Sequence, residues 1–126
     1  MKTFLLVVMS VIVSVNTYAN SNWVYINTSK SDNVFFIDIN SMQKSGDSIT
    51  FWTLTNLGKR DQSGDLSEKT QHTINCRTRE MIDRYLMAYD DINNNGKLTR
   101  SFVPKDSWRP IAPDTVQWSL FERVCK

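Results

Sequence analysis

Histidine, cysteine, proline and glycine are all scarce in this 126-residue chain: it has one, two, three and four of them. So few glycines and prolines exclude a collagen-like or low-complexity chain. Two cysteines exclude a disulfide-dense scaffold, and with His72 alone they make a poor zinc set. Neither sign of charge dominates, with 15 basic against 13 acidic residues. That balance, with no basic run interleaved with aromatics, gives no electrostatic grip on nucleic acid. No apolar run approaches the roughly 20 residues that span a bilayer. Glycine-rich phosphate loops, serine elbows and metal motifs are missing as well. No constellation here would carry catalysis. The expectation is a non-enzymatic protein with no catalytic, cofactor or metal residues.

What is present begins with an export signal. Met1 and Lys2 precede the apolar run "FLLVVMSVIVSV", which ends in the polar "NTYA". Thr17 and Ala19 supply small residues at −3 and −1 of a cut before Asn20. Residues 1–19 read as a signal peptide and 20–126 as one small domain. No cysteine lies near the cut, so no lipid attachment or membrane anchor is expected in the mature chain. The product should be periplasmic, secreted or at the cell surface. Removing Lys2 from the 15 basic residues leaves 14 against 13 acidic, net +1.

In an exported protein Cys76 and Cys125 point to a disulfide. The loop they would close constrains the unfolded chain by about 4 kcal/mol on the chain-entropy model. A Cys–His pair with His72 is the competing reading. Disulfide formation would remove its nucleophile.

Residues 23–27, 34–37 and 49–56 read as strands, rich in β-branched and aromatic residues. Asp38 caps a brief helical turn over 38–42, and 45–48 form a turn. These strands are apolar on both faces. Trp23 and Tyr25 oppose Val24 and Ile26, and Ile49 and Phe51 oppose Trp52 and Leu54. Residues 57–67 read as a mobile hairpin loop. Residues 67–75 read as a polar strand near a sheet edge, with His72 at the surface or half-buried. The segment 81–90 fits both a helical and a strand period. Pro113 opens a final helix capped by Asp114, with Gln117 reaching back. Val116, Leu120 and Val124 form its apolar stripe beside Phe121.

The segment "DINNNGKLTRSF" places Asp91, Asn93, Asn95 and Gly96 where a calcium loop carries its first ligands and its glycine. Phe102 stands where that loop needs a bidentate glutamate. An Asn-Gly turn requires less, so no metal is expected. The sequon Asn27, Thr28, Ser29 is expected to stay bare.

The ordered set Trp23-Val24, "FIDINSM" at 36–42, "ITFW" at 49–52, "TINC" at 73–76, "WRPI" at 108–111, Pro113 and the terminal Val124-Cys125 resembles the surface-adhesin protein E family. That resemblance implies an α+β fold: an antiparallel sheet with a C-terminal helix, disulfide-tied, able to dimerise. It makes 81–90 a strand. It also implies a binding role toward host extracellular-matrix or other envelope proteins, with a soluble periplasmic accessory protein as the alternative. No host-binding residue of the family maps onto a position here. The two-faced strands add an expectation of their own. One short helix cannot cover both faces, so a homodimer, or the loops 57–67 or 104–113, should cover the remainder.

Overall fold

A computed structural model describes residues 21–126. The expected signal peptide and cut after Ala19 lie outside the described residues. Eight strands and one helix follow in order: β1 (Trp23–Thr28), β2 (Val34–Asp38), β3 (Gln43–Ser45), β4 (Ser48–Asn56), β5 (Ser67–Asn75), β6 (Glu80–Tyr89), β7 (Leu98–Phe102), β8 (Arg109–Pro110) and α1 (Val116–Cys125). All pair antiparallel in one sheet, ordered β1-β2-β4-β5-β6-β7. The short β3 continues beside β4 where β2 leaves off, and β8 does the same beside β6.

Local chemistry explains the junctions. Asp38 caps the 3-10 turn Ile39–Ser41 by accepting the Asn40 N–H, as its sequence position implies. Gly46 takes φ +58° in the β3–β4 turn, a conformation that suits glycine. The helix starts one residue later than expected. Thr115, not Asp114, caps it, its hydroxyl accepting the Trp118 N–H, while Asp114 sits at φ +61°. Two further expectations need correction. The strand β5 lies at the centre of the sheet, not at an edge, because its side chains pack even though they are polar. Thr50 and Thr73 bond across β4–β5 at 2.9 Å, and Thr70, His72, Thr73 and Ile74 are buried. The segment 57–66 is pinned instead of mobile, for reasons given below.

The helix lies on one sheet face. Leu120, Phe121 and Val124 bury against Ile37, Ile49, Phe51, Ile74, Met81 and Ile111. Ile37, Phe51, Ile74 and Met81 are fully shielded, each worth roughly 1.5–3 kcal/mol of apolar burial. Cys76 at the end of β5 bonds to Cys125 at the end of α1. The disulfide therefore staples the helix to the sheet over that core.

At the other end of the same face, the loop 57–66 closes through Leu57 N–H to Leu66 O at 2.9 Å and Asp61 N–H to Asp65 O at 3.0 Å. Asp65 is fully buried, and Arg100 of β7 donates to its carboxylate from Nε at 3.1 Å and Nη2 at 2.8 Å. Thr99 adds its hydroxyl. A buried carboxylate needs such partners, and the bidentate fork supplies them. Glu68 shares the same guanidinium at 3.7 Å. Burial pushes the Glu68 carboxyl up, with Asp61 and Asp65 adding to this and Arg100 only partly offsetting it.

Two outcomes follow from this architecture. Replacing Cys76 and Cys125 together by serine should cost about 4 kcal/mol in denaturant unfolding, against no change if the staple is incidental. Glu68→Gln should raise the thermal midpoint by about 2 °C at pH 7. The raised Glu68 favours the folded state below its ordinary value of 4.5. That contribution is lost as pH rises through the folded value. The advantage of the glutamine should therefore close on acidification, and an advantage that persists in acid would contradict the assignment.

Candidate binding face

The pleat sends alternate side chains of each strand to opposite faces. Register then assembles the face away from α1. Trp52 pairs with Gln71, and Gln71 with Tyr85. Leu54 pairs with Phe36 and Lys69, and Phe36 with Tyr25. Trp23 lies two residues from Tyr25 on the same side. The rings meet edge to face, Trp52–Tyr85 at 6.2 Å and 81°, Tyr25–Phe36 at 6.1 Å and 75°. Lys69 Nζ lies 4.8 Å from the Trp52 ring centroid and 6.0 Å from that of Trp23. Only Leu54 sinks fully beneath this layer, and Tyr25 stays 55% exposed.

A bulge in β6 completes the face. Asp83 and Arg84 together stand opposite His72 before Tyr85 resumes the register at Gln71. Arg84 Nε donates to Thr73 Oγ1 at 3.2 Å, and its guanidinium lies 5.5 Å from the Trp108 ring. Trp108 is 41% exposed at the rim. The loops expected to cover this face do not. The segment 57–66 is tied to β7 on the helix side. The segment after β7 runs along β6, where Asp106 accepts the Asp83 N–H at 2.8 Å.

His72 points to the helix side and is buried, not superficial. Its Nδ1 lies 2.6 Å from Asp83 Oδ1 and its Nε2 2.7 Å from Thr53 Oγ1. A carboxylate only accepts, so Nδ1 carries the donated proton. Arg109 also reaches Asp83 at 3.1 Å and binds Asp106. Burial pushes the Asp83 carboxyl up, but the hydrogen bonds and charges of His72 and Arg109 outweigh it and hold it below the ordinary 3.8. Its contribution to stability is therefore present above that value and is lost as pH falls through the lowered one. The hydroxyl–imidazole–carboxylate order resembles a nucleophile relay. Thr53 is only 4% exposed, however, so its hydroxyl offers a substrate no approach. The chain of bonds ties β4, β5, β6 and β8 together.

The calcium-like segment is a turn. Asp90 Oδ1 accepts the Lys97 N–H, Asp91 Oδ1 accepts the Ile92 N–H, and Asn93 exchanges two bonds of 2.8 Å with Asn56. Asn93, Asn94 and Gly96 adopt positive φ. One side-chain oxygen each of Asp90, Asp91 and Asn93 is thus engaged in closing the β6–β7 connection. Among the described residues no group of three or more His, Cys, Asp or Glu could hold a metal ion. Millimolar calcium should leave the thermal midpoint unchanged, and a rise of several degrees would overturn the turn assignment.

No helix among the described residues is long and apolar enough to cross a membrane. No curated protein matches the chain. Solved structures of Haemophilus influenzae protein E share the fold. One superposes with a TM-score of 0.62 at 20% identity, covering 80% of this chain and 86% of that one. Another, from non-typeable Haemophilus influenzae, gives 0.61 at 17% identity, covering 86% and 78%. The surface-adhesin protein E family matches residues 23–126, a span that includes every strand, both bonded cysteines and the helix. The chain belongs to the surface-adhesin protein E family.

Proposed function

We propose that this is an exported, non-enzymatic binding protein that contacts host matrix or other envelope components through the sheet face opposite α1. The observation that carries the reading is the aromatic layer of Trp23, Tyr25, Phe36, Trp52 and Tyr85. It draws on four strands, β1, β2, β4 and β6, and no helix among the described residues packs on it. Surfaces of this kind usually serve association, and large aromatic side chains dominate binding energy at such surfaces. Family membership supports the adhesin-like role. The signal peptide proposed for residues 1–19 supports export.

Self-association is a second reading with its own observation. The edge strand β7 and the residue after it expose Leu98, Phe102 and Val103, at 43%, 40% and 70%. An exposed apolar edge is a template for pairing with another strand. A dimer formed there would leave the aromatic face free. A soluble periplasmic role is favoured by the lack of a lipid-bearing cysteine near the proposed cut. Protease treatment of intact cells separates that role from surface display.

The direct test is capture of purified residues 20–126 by immobilised matrix components. Trp52→Ala and Trp23→Ala should each weaken capture about tenfold or more, with the circular dichroism spectrum preserved. Capture equal to the parent in both folded variants would contradict the reading.

A further inference from the structure

The chemistry of the aromatic face narrows what it can hold. Its two cations, Lys69 and Arg84, form no ion pair among the described residues. Lys69 rests on the Trp52 ring, and Arg84 stands between Thr73 and Trp108. By register the described strands place two carboxylates on this face, Asp38 and Glu80. Asp38 is spent on the Asn22 and Asn40 N–H groups. Glu80 lies at the far end, opposite Asn75 and Pro110. The centre is thus aromatic and positive, with no negative charge of its own.

Geometry orders these groups in a row. Lys69 and Thr73 are four residues apart on β5, about 13 Å along the strand. The Arg84 guanidinium sits at Thr73, so the two cations bracket Gln71 and its cross-strand neighbours Trp52 and Tyr85. The Gln71 side-chain amide makes no hydrogen bond among the described residues, so it keeps its donors and acceptor for an outside group, while the Gln71 backbone belongs to the ladder. The central strands have already committed their backbone N–H and C=O groups to the ladder. A peptide docking flat on this face would find no main-chain partners. A polysaccharide brings its own hydroxyls to Gln71, flat apolar ring faces to Trp52 and Tyr85, and acidic groups to the two cations. A second copy of the chain fits worse. Pairing this face with itself about a two-fold axis would bury four cations without a carboxylate among them.

We infer that this row is a binding site for a linear acidic polysaccharide of the extracellular matrix, one bearing uronate or sulfate groups. The inference rests on the aromatic face being the binding face and names the class of ligand it takes.

Heparin coupled to a sensor surface is the probe, with neutral dextran as the blank. Residues 20–126 should bind heparin and not dextran, and binding should weaken as salt rises. Lys69→Gln and Arg84→Gln should each reduce affinity about tenfold, the scale of one lost charge-assisted bond. Trp52→Ala should do the same. Lys59→Gln removes an equal charge from the loop 57–66 and should leave affinity within about twofold. An equal loss in Lys59→Gln would show attraction to net charge alone and overturn the assignment. If the parent binds no heparin while Trp52→Ala still abolishes capture by matrix proteins, the polysaccharide assignment fails and the binding face stands. A parent that binds no heparin and sediments as a dimer dissolved by Trp52→Ala gives the face to a second copy. Heparin binding untouched in all three face variants overturns both the site and the face.

Discussion

Everything in this fold depends on the two-residue period of the three long strands β4, β5 and β6. Their register fixes which side chains meet α1 and which meet the outside. Ile49, Phe51 and Ile74 face the helix, while Trp52, Lys69 and Gln71 face away. A slip of one residue in β5 would exchange Ile74 for Thr73 in the core and turn Lys69 under it. The helix contributes ten residues, about 15 Å of cover. The helix therefore closes one face and does not reach the other.

Charge pairs stabilise this register at two places where apolar packing gives out, one fully buried and one partly exposed. Under the loop 57–66, Asp65 is fully enclosed and depends on the Arg100 fork. Where β8 joins β6, Asp83 draws on His72 and Arg109 together. At Asp65, removing Arg100 would strand a charge in a site shielded from water, a far larger cost than the pair is worth in water. The disulfide adds a third tie, from the end of β5 to the end of α1. All three lie on the helix side or at its margins. The aromatic face is thus held from behind.

Much of this was legible in the sequence. The two-sided apolar pattern of residues 23–27 and 49–56 separates the helix face from the aromatic face correctly. Of the stripe Val116, Leu120 and Val124 with Phe121 beside it, all but the half-buried Val116 enter the core. The Asn-Gly chemistry at 93–96 identifies a turn. Other features were hidden for physical reasons. The strand β5 looks like an edge because its composition is polar, yet threonine pairs and a bonded histidine satisfy a sheet interior as well as aliphatic residues do. The 57–66 loop looks mobile because pinning by Asp65 and Arg100 spans a distance in sequence that no local pattern records. Arg84 and Tyr85 share the aromatic face only through a bulge between them and His72, which strict alternation cannot forecast. Tyr85, Met87 and Tyr89, by contrast, already alternate as strand residues should.

The most direct measurement of the central claim uses the four tryptophans as reporters. Trp23 and Trp52 lie on the aromatic face and Trp108 at its rim, while Trp118 stacks on Phe121 in the helix at 5.0 Å. A nitrogen-15 spectrum resolves their indole N–H signals during titration with a soluble heparin fragment. The account predicts that Trp23, Trp52 and Trp108 move and Trp118 stays. Movement of Trp118 with Trp52 unmoved would contradict it.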